Sequence, residues 1–321
     1  MRWRAAMLSG LLVTSAAAQD SAKPPYAADK PLTEPRMFAE GPICTGDYES
    51  HPAFTPDGRT LYFVKSTPDF SFWTIVVSRF ENGRWSAPEI APFSGRYADA
   101  DPFITADGSR FYFISNRPVP GRTEPDLDIW VMERSGSGWT EPKNVGAPVN
   151  SERNEWFPTV ARNGTIYFGS ERDGGQGRCD IYSARFVDGS YAPAENLGDA
   201  INTPAGEFEP CVAPDESFLI FAAAGRKDGK GEFDLFISER RDGVWSTATS
   251  LGEKINTEKT EFSPMISPDA KLFFFTSTRG FANKPLEKPL STRDLAERLR
   301  KPRNGLGDIY QIDLSALRAI R

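Results

Sequence analysis

The sequence has a single histidine, His51, and only three cysteines, Cys44, Cys179 and Cys211, in 321 residues. With one histidine there is no His-Glu-x-x-His zinc motif, and neither a Gly-x-Ser-x-Gly nucleophile turn nor a phosphate-binding loop occurs. Long apolar runs are missing too. The longest, Ala5 to Thr14, is too short to span a bilayer. It lies between Arg2 and Arg4 on one side and Ala16-Ala17-Ala18 on the other, the pattern of a secretory signal peptide over residues 1–18. The expected address is therefore the periplasm or the exterior. Basic excess is absent: the net charge is −6, and removing residues 1–18 leaves 36 basic against 44 acidic residues. An acidic chain of this kind is a poor partner for nucleic acid. An oxidising compartment permits one disulfide, such as Cys179–Cys211, but the favoured reading is three small buried residues. Apart from one short stretch near the C-terminus, helix-length amphipathic segments are lacking.

What the chain does have is a repeat of about fifty residues, and such self-similarity outranks other fold signals. It registers on Pro52, Pro102, Pro158, Pro210 and Pro264, spaced 50, 56, 52 and 54 residues apart. Three residues before each proline stands an acid: Glu49, Asp99, Glu155, Glu207 and Glu261. Five residues after it stands Asp57, Asp107, Asn163, Asp215 or Asp269, in a turn. Apolar, aromatic runs follow, such as Phe111-Tyr112-Phe113 and Phe273-Phe274-Phe275, which read as strands buried on both faces. Each unit supplies four short strands. Five units predict an all-β, five-bladed β-propeller of antiparallel blades.

The expected organisation is a flexible leader at 19–35 and one propeller domain at 36–314, followed by a tail at 315–321. The blades fall at about 46–94, 95–150, 151–202, 203–256 and 257–314. The fifth lacks an outer strand. Ile43-Cys44-Thr45 aligns with Ile201-Asn202-Thr203 and Ile255-Asn256-Thr257, so residues 36–45 are expected to complete it and close the ring. An insertion at 280–307 interrupts that blade and carries a short helix with Ser291 as its N-cap. It is basic, through Lys284, Lys288, Arg293, Arg298, Arg300, Lys301 and Arg303.

The stretch Pro52 to Phe63, Pro-x-Phe-Thr-Pro-Asp-Gly-x-x-Leu-Tyr-Phe, resembles the WD40-like repeat of TolB-type β-propellers. So do the later Ser-x-Arg and Asp-Ile-Tyr elements. The resemblance covers roughly residues 36–314 and implies a binding platform in an exported bacterial protein. TolB's separate N-terminal α/β domain is missing here, and five repeats stand where TolB has six.

Two sets of residues are candidates for chemistry. The first repeats: Arg117, Arg172, Arg226 and Arg279 are expected to face Asp128, Asp180, Asp234 and Asp308, as a structural network with the repeated acids. The second varies. Just before each proline stand His51, Asp101, Phe157, Glu209 and Ser263, a ring around the channel mouth. His51, Asp101 and Glu209 could contact a sugar or hold a divalent cation, although no cofactor is expected. Phe157 joins them, and blade one adds an aromatic loop with Phe70, Phe72 and Trp73. The leading expectation is a binding or scaffold protein, without catalytic residues, that engages a protein or an envelope polymer. The alternative is a carbohydrate-binding or glycoside-active propeller using the carboxylates at the channel mouth.

Overall fold

The computed structural model describes residues 23–122, 125–281 and 285–318. The signal-peptide pattern at 1–18 and Lys284 of the insertion lie outside these residues. Short extended runs separated by Asp-Gly and Asn-Gly turns fold as antiparallel sheets, and five of them form a propeller. In blade two, Asp99–Ile104, Arg110–Ser115 and Asp128–Ser135 lie side by side, with Gly138–Trp139 and Lys143–Asn144 as the broken outer edge. Blades one, three and four repeat this order from Tyr48–Phe54, Glu155–Val160 and Gly206–Val212. First strands of neighbouring blades touch around the axis, and that of blade five, Glu261–Ile266, touches that of blade one. The second strands are the most deeply buried, with Phe63, Phe113, Phe168, Phe221 and Phe275 fully enclosed between blades.

Blade five is completed from the other end of the chain. Arg36–Met37 pairs antiparallel with Asp308–Asp313, Arg36 opposite Gln311 and Met37 opposite Tyr310. The alignment of Cys44 with the repeated asparagines holds in three dimensions. Asn150 accepts from the N–H of Ile129 and donates to its carbonyl, and Asn202 and Asn256 do the same to Ile181 and Leu235. Cys44 treats Ile309 in the same way, its thiol accepting at 3.3 Å and donating at 3.6 Å. Cys44, Cys179 and Cys211 are all buried free thiols.

The ends of the chain are more ordered than expected. Of the expected flexible leader at 19–35, residues 19–22 lie outside the described residues, and in the rest Tyr26 is buried against Phe54 and Phe274, with ring centroids 5.0 and 6.0 Å away. Its ring fills the space where a side chain at Gly58 would go, and Gly58 also needs its φ of +67° for the hairpin turn. Leu32 and Asp313 exchange backbone and side-chain hydrogen bonds, which ties the segment to the last strand. The burial of one aromatic ring outweighs the Pro- and Lys-rich composition that suggests mobility. In the C-terminal tail, Leu314–Arg318 forms a short helix that buries Leu317.

Candidate functional site

The proline of each first strand cannot donate to a ladder, and there the pairing slips. The slip leaves the preceding residue in the left-handed region: φ is 55° at His51, 54° at Asp101, 43° at Phe157, 57° at Glu209 and 54° at Ser263. Such conformations are uncommon for residues other than glycine and cost of order 1–3 kcal/mol each. Five bulges at equivalent positions place five side chains at the centre of the ring.

There, three of them meet. His51 Nε2 lies 3.1 Å from Asp101 Oδ1 and 3.2 Å from Glu209 Oε1, although the three belong to blades one, two and four. Nitrogen between two carboxylate oxygens must carry the proton. Nδ1 lies 2.7 Å from the Ser50 hydroxyl. Asp101 Oδ2 accepts from the N–H of Phe157 at 2.9 Å, and Glu209 Oε2 accepts from the N–H of Ser263. Burial works against a charged imidazole, but the Asp101 and Glu209 charges outweigh it and hold the His51 pKa above its ordinary value. Burial pushes the Asp101 carboxyl up to about 6, opposed by the charge of His51. Phe157 is enclosed beneath the imidazole, ring centroids 5.6 Å apart, and plugs the channel.

Above this floor opens an axial cavity of about 280 Å³. Its wall is aromatic, with Tyr48, Phe70, Trp73, Trp156, Phe208 and Phe262, while Glu171 and Arg178 stand among its polar lining. The indole N–H groups of Trp73 and Trp156 are buried without a hydrogen-bond partner. On the far side of Phe157 lies a pocket of about 60 Å³ lined chiefly by apolar groups such as Phe54, Phe103 and Met265.

The expected residues thus divide. His51, Asp101, Glu209 and Trp73 line the cavity, Phe157 lies beneath its floor, and Phe72 points away with 57% of its surface exposed. Phe70, of the expected aromatic loop, lines it as well, whereas Tyr48, Trp156, Phe208 and Phe262 were missed. Tyr48, Trp156, Phe208 and Phe262 are one position before or after the repeated acid, a pattern visible in the repeat once the strand's facing is known. Among the described residues no group of three or more His, Cys, Asp or Glu is arranged to hold a metal ion. In the floor cluster the carboxylates spend their oxygens on His51 and backbone N–H groups. The described insertion residues contribute nothing to the cavity wall.

The expected pairing within the repeat network needs correction. Arg117 does not face Asp128. It bonds Asp99 at 2.7 Å, and Arg172, Arg226 and Arg279 reach Glu155, Glu207 and Glu261 at 3.3, 3.5 and 3.5 Å. The reason is stacking. Each guanidinium lies over an aromatic ring of the second strand and one of the third, as Arg172 does over Phe168 and Tyr182. Its remaining donors then point at the first strand and at a backbone carbonyl of the preceding outer segment. The aspartates that open the third strand serve their own loops: Asp180 accepts from the N–H groups of Gln176 and Gly177, and Asp234 from Lys230 and Gly231. Asp308 accepts from Arg303 N–H, and Asp128 from Arg122 and Asn144. In blade one, which has no such arginine, Lys65 reaches Glu49 at 3.1 Å.

No family model and no curated protein matches the chain. Solved structures do. An α-L-arabinofuranosidase from Lactobacillus brevis superposes with a TM-score of 0.52 at 12% identity, covering 85% of this chain and 92% of that one. An arabinanase from Bacillus subtilis does so with a TM-score of 0.50 at 12% identity, covering 84% and 95%. At this identity the likeness shows the fold. These neighbours are glycoside-hydrolase propellers rather than TolB-type ones, so the TolB resemblance remains one of blade sequence.

Proposed function

We propose that the protein binds a saccharide in the axial cavity, stacking it on the aromatic wall and holding its hydroxyls at the His51–Asp101–Glu209 floor. The observation that carries this reading is the cavity itself: aromatic on its sides, with His51, Asp101 and Glu209 together at its base and Glu171 and Arg178 also in its lining. Aromatic faces take the C–H faces of a sugar ring, while convergent polar groups fix its orientation. The unpartnered indole N–H groups of Trp73 and Trp156 add donors without a protein acceptor. Export, suggested by residues 1–18, places the encounter outside the cytoplasm, where the saccharide is a component of an envelope or external polymer.

Hydrolysis is the second reading. The neighbours named above include an arabinofuranosidase and an arabinanase, and a carboxyl raised to about 6, as Asp101 is, suits a general acid beside a second carboxylate. Against it stands His51, which occupies the space between the two carboxylates where a glycosidic bond would have to lie. Binding therefore comes first.

The test is a panel of oligosaccharides, arabinose-containing ones included, scored for thermal shift, tryptophan fluorescence and released product. Binding predicts a raised Tm and changed fluorescence without product. Product release that is lost in Asp101→Asn would establish the second reading instead. No shift with any saccharide, and none altered by Trp73→Ala, would sink both.

A further inference from the structure

The geometry points to a second ligand site: the cleft beneath the blade-five insertion takes the hydrocarbon chain of an anionic amphiphile, with the anionic group beside Arg298 and Arg303. Nine large apolar side chains are exposed among the described residues, and five of them, Phe281, Leu286, Leu290, Leu295 and Leu299, lie in this one insertion. All five line one cleft of about 900 Å³, roughly three times the axial cavity. Apolar groups gathered in this way on a water-soluble surface mark a binding site.

The leucines are not exposed because the segment is loose. The helix Thr292–Leu299 is closed at its start by a reciprocal capping box between Ser291 and Asp294. At its other end the Asn304 side chain donates to the carbonyls of Leu299 and of Gly46 in blade one. Phe281 N–H donates to the Arg303 carbonyl, which closes the loop on itself. A built frame thus holds an uncovered apolar face.

Charge selects the class of occupant. Glu297 pairs with Arg293 and Lys301, but Arg298, Arg300 and Arg303 make no ion pair among the described residues. Arg298 lies over the Phe281 ring, 4.3 Å from its centroid, so its charge is held at the apolar wall. Arg298 and Arg303 both line the cleft. The Arg298 guanidinium, without a carboxylate partner and next to a leucine surface, fits a phosphate or carboxylate joined to an alkyl chain, with Arg303, whose charge also acts on Asp308, beside it. Glu232 and Glu258 on the blade side keep the anion at the helix side. The N-terminal residues described from 23 on do not cover it, because Tyr26 packs by Gly58 on the opposite face, where the first hairpin turns lie. Thr260 lines this cleft and the axial cavity alike. The two openings therefore adjoin at that residue. The inference stands apart from the saccharide reading.

Calorimetric titration of the full chain with dodecyl phosphate, below its micelle concentration, tests the site. One molecule is expected to bind, with inorganic phosphate at least about 100-fold weaker because it buries no chain. Leu295→Asp combined with Leu299→Asp should weaken dodecyl phosphate about tenfold or more with an unchanged Tm, since both side chains are exposed in the free protein. Arg298→Ala should weaken it while leaving uncharged dodecyl maltoside unaffected. Equal affinity for inorganic phosphate, an undiminished double variant, or binding only to phosphatidylglycerol vesicles would overturn the proposal. A saccharide panel that fails while dodecyl phosphate binds strikes the axial reading alone, and the converse strikes this one alone.

Discussion

The protein buries charge in two places, and the two are built on opposite plans. Within the blades, a buried acid, a stacked arginine and two aromatic rings recur almost unchanged, four times with arginine and once with Lys65. On the axis, the same backbone position carries His51, Asp101, Phe157, Glu209 and Ser263, five side chains with nothing in common. The first set is local. Each glutamate among the acids also takes a hydroxyl and N–H from four residues earlier, as Glu155 does from Ser151, and Asp99 takes the Ser94 hydroxyl, which staples one blade's last turn to the next blade. The second set is global, because His51 meets partners from two other blades. Repetition marks what every blade needs; variation marks where the blades act together.

The largest expected effect concerns the closure on which both sets depend. Deleting residues 23–45 removes Tyr26, the Arg36–Met37 strand and the Cys44 clamp, and leaves blade five with an open edge. Aggregation or loss of cooperative unfolding is expected, read by size-exclusion chromatography and thermal melts. A soluble, unchanged protein would show that closure does not hold the ring.

Next comes the local set. Arg172→Ala leaves Glu155 fully buried without its cation, and a loss of about 3 kcal/mol is expected in denaturant melts. In a double-mutant cycle, Arg172 and Glu155 should be strongly coupled, whereas Arg172 and Asp180 should be additive. The reverse outcome would restore the pairing that the sequence suggested.

Blade one offers a pH test of similar size. Burial pushes the Glu49 carboxyl up to about 7, against the opposing bonds from Thr45 and Lys65. An acid whose folded pKa is raised is fully stabilising below its unfolded value near 4.5 and loses that contribution as pH rises through 7. Stability should therefore fall by up to about 3 kcal/mol across that window, and Glu49→Gln should flatten the fall. A profile identical in the variant would assign the titration elsewhere.

The smallest effect on stability, and the sharpest contrast, is expected on the axis. Asp101→Asn keeps an acceptor for Phe157 N–H but turns its NH2 toward the protonated His51 Nε2, and should cost roughly 1–2 kcal/mol of stability. The same change should weaken saccharide binding about tenfold, because a hydroxyl partner at the floor is altered. Arg172→Ala should do the opposite, costing stability and sparing affinity. If both variants lose affinity alike, the division between local and axial sets fails.

Much of this was readable in the chain. A proline at one fixed place in each unit gave the blade count, and the eight-residue offset of Cys44 from Pro52 gave the closure. The axial ring was found by its variability. Its bulged geometry was missed, although a proline inside a strand is itself a bulge signal. The arginine partners were misassigned because spacing along the chain does not say which way a guanidinium leaves a strand; stacking between two rings decides that.

The sequence by itself determined the repeat, the all-β class and the exchange of a strand between the two ends, because each is a matter of order and period along one chain. Only the tertiary structure decided that His51, Asp101 and Glu209 share one floor, and that Tyr26 belongs to the core. Contacts between residues 50 to 250 positions apart depend on how the ring closes and where each bulge aims its side chain. Those are properties of five blades packed together, and no single repeat contains them.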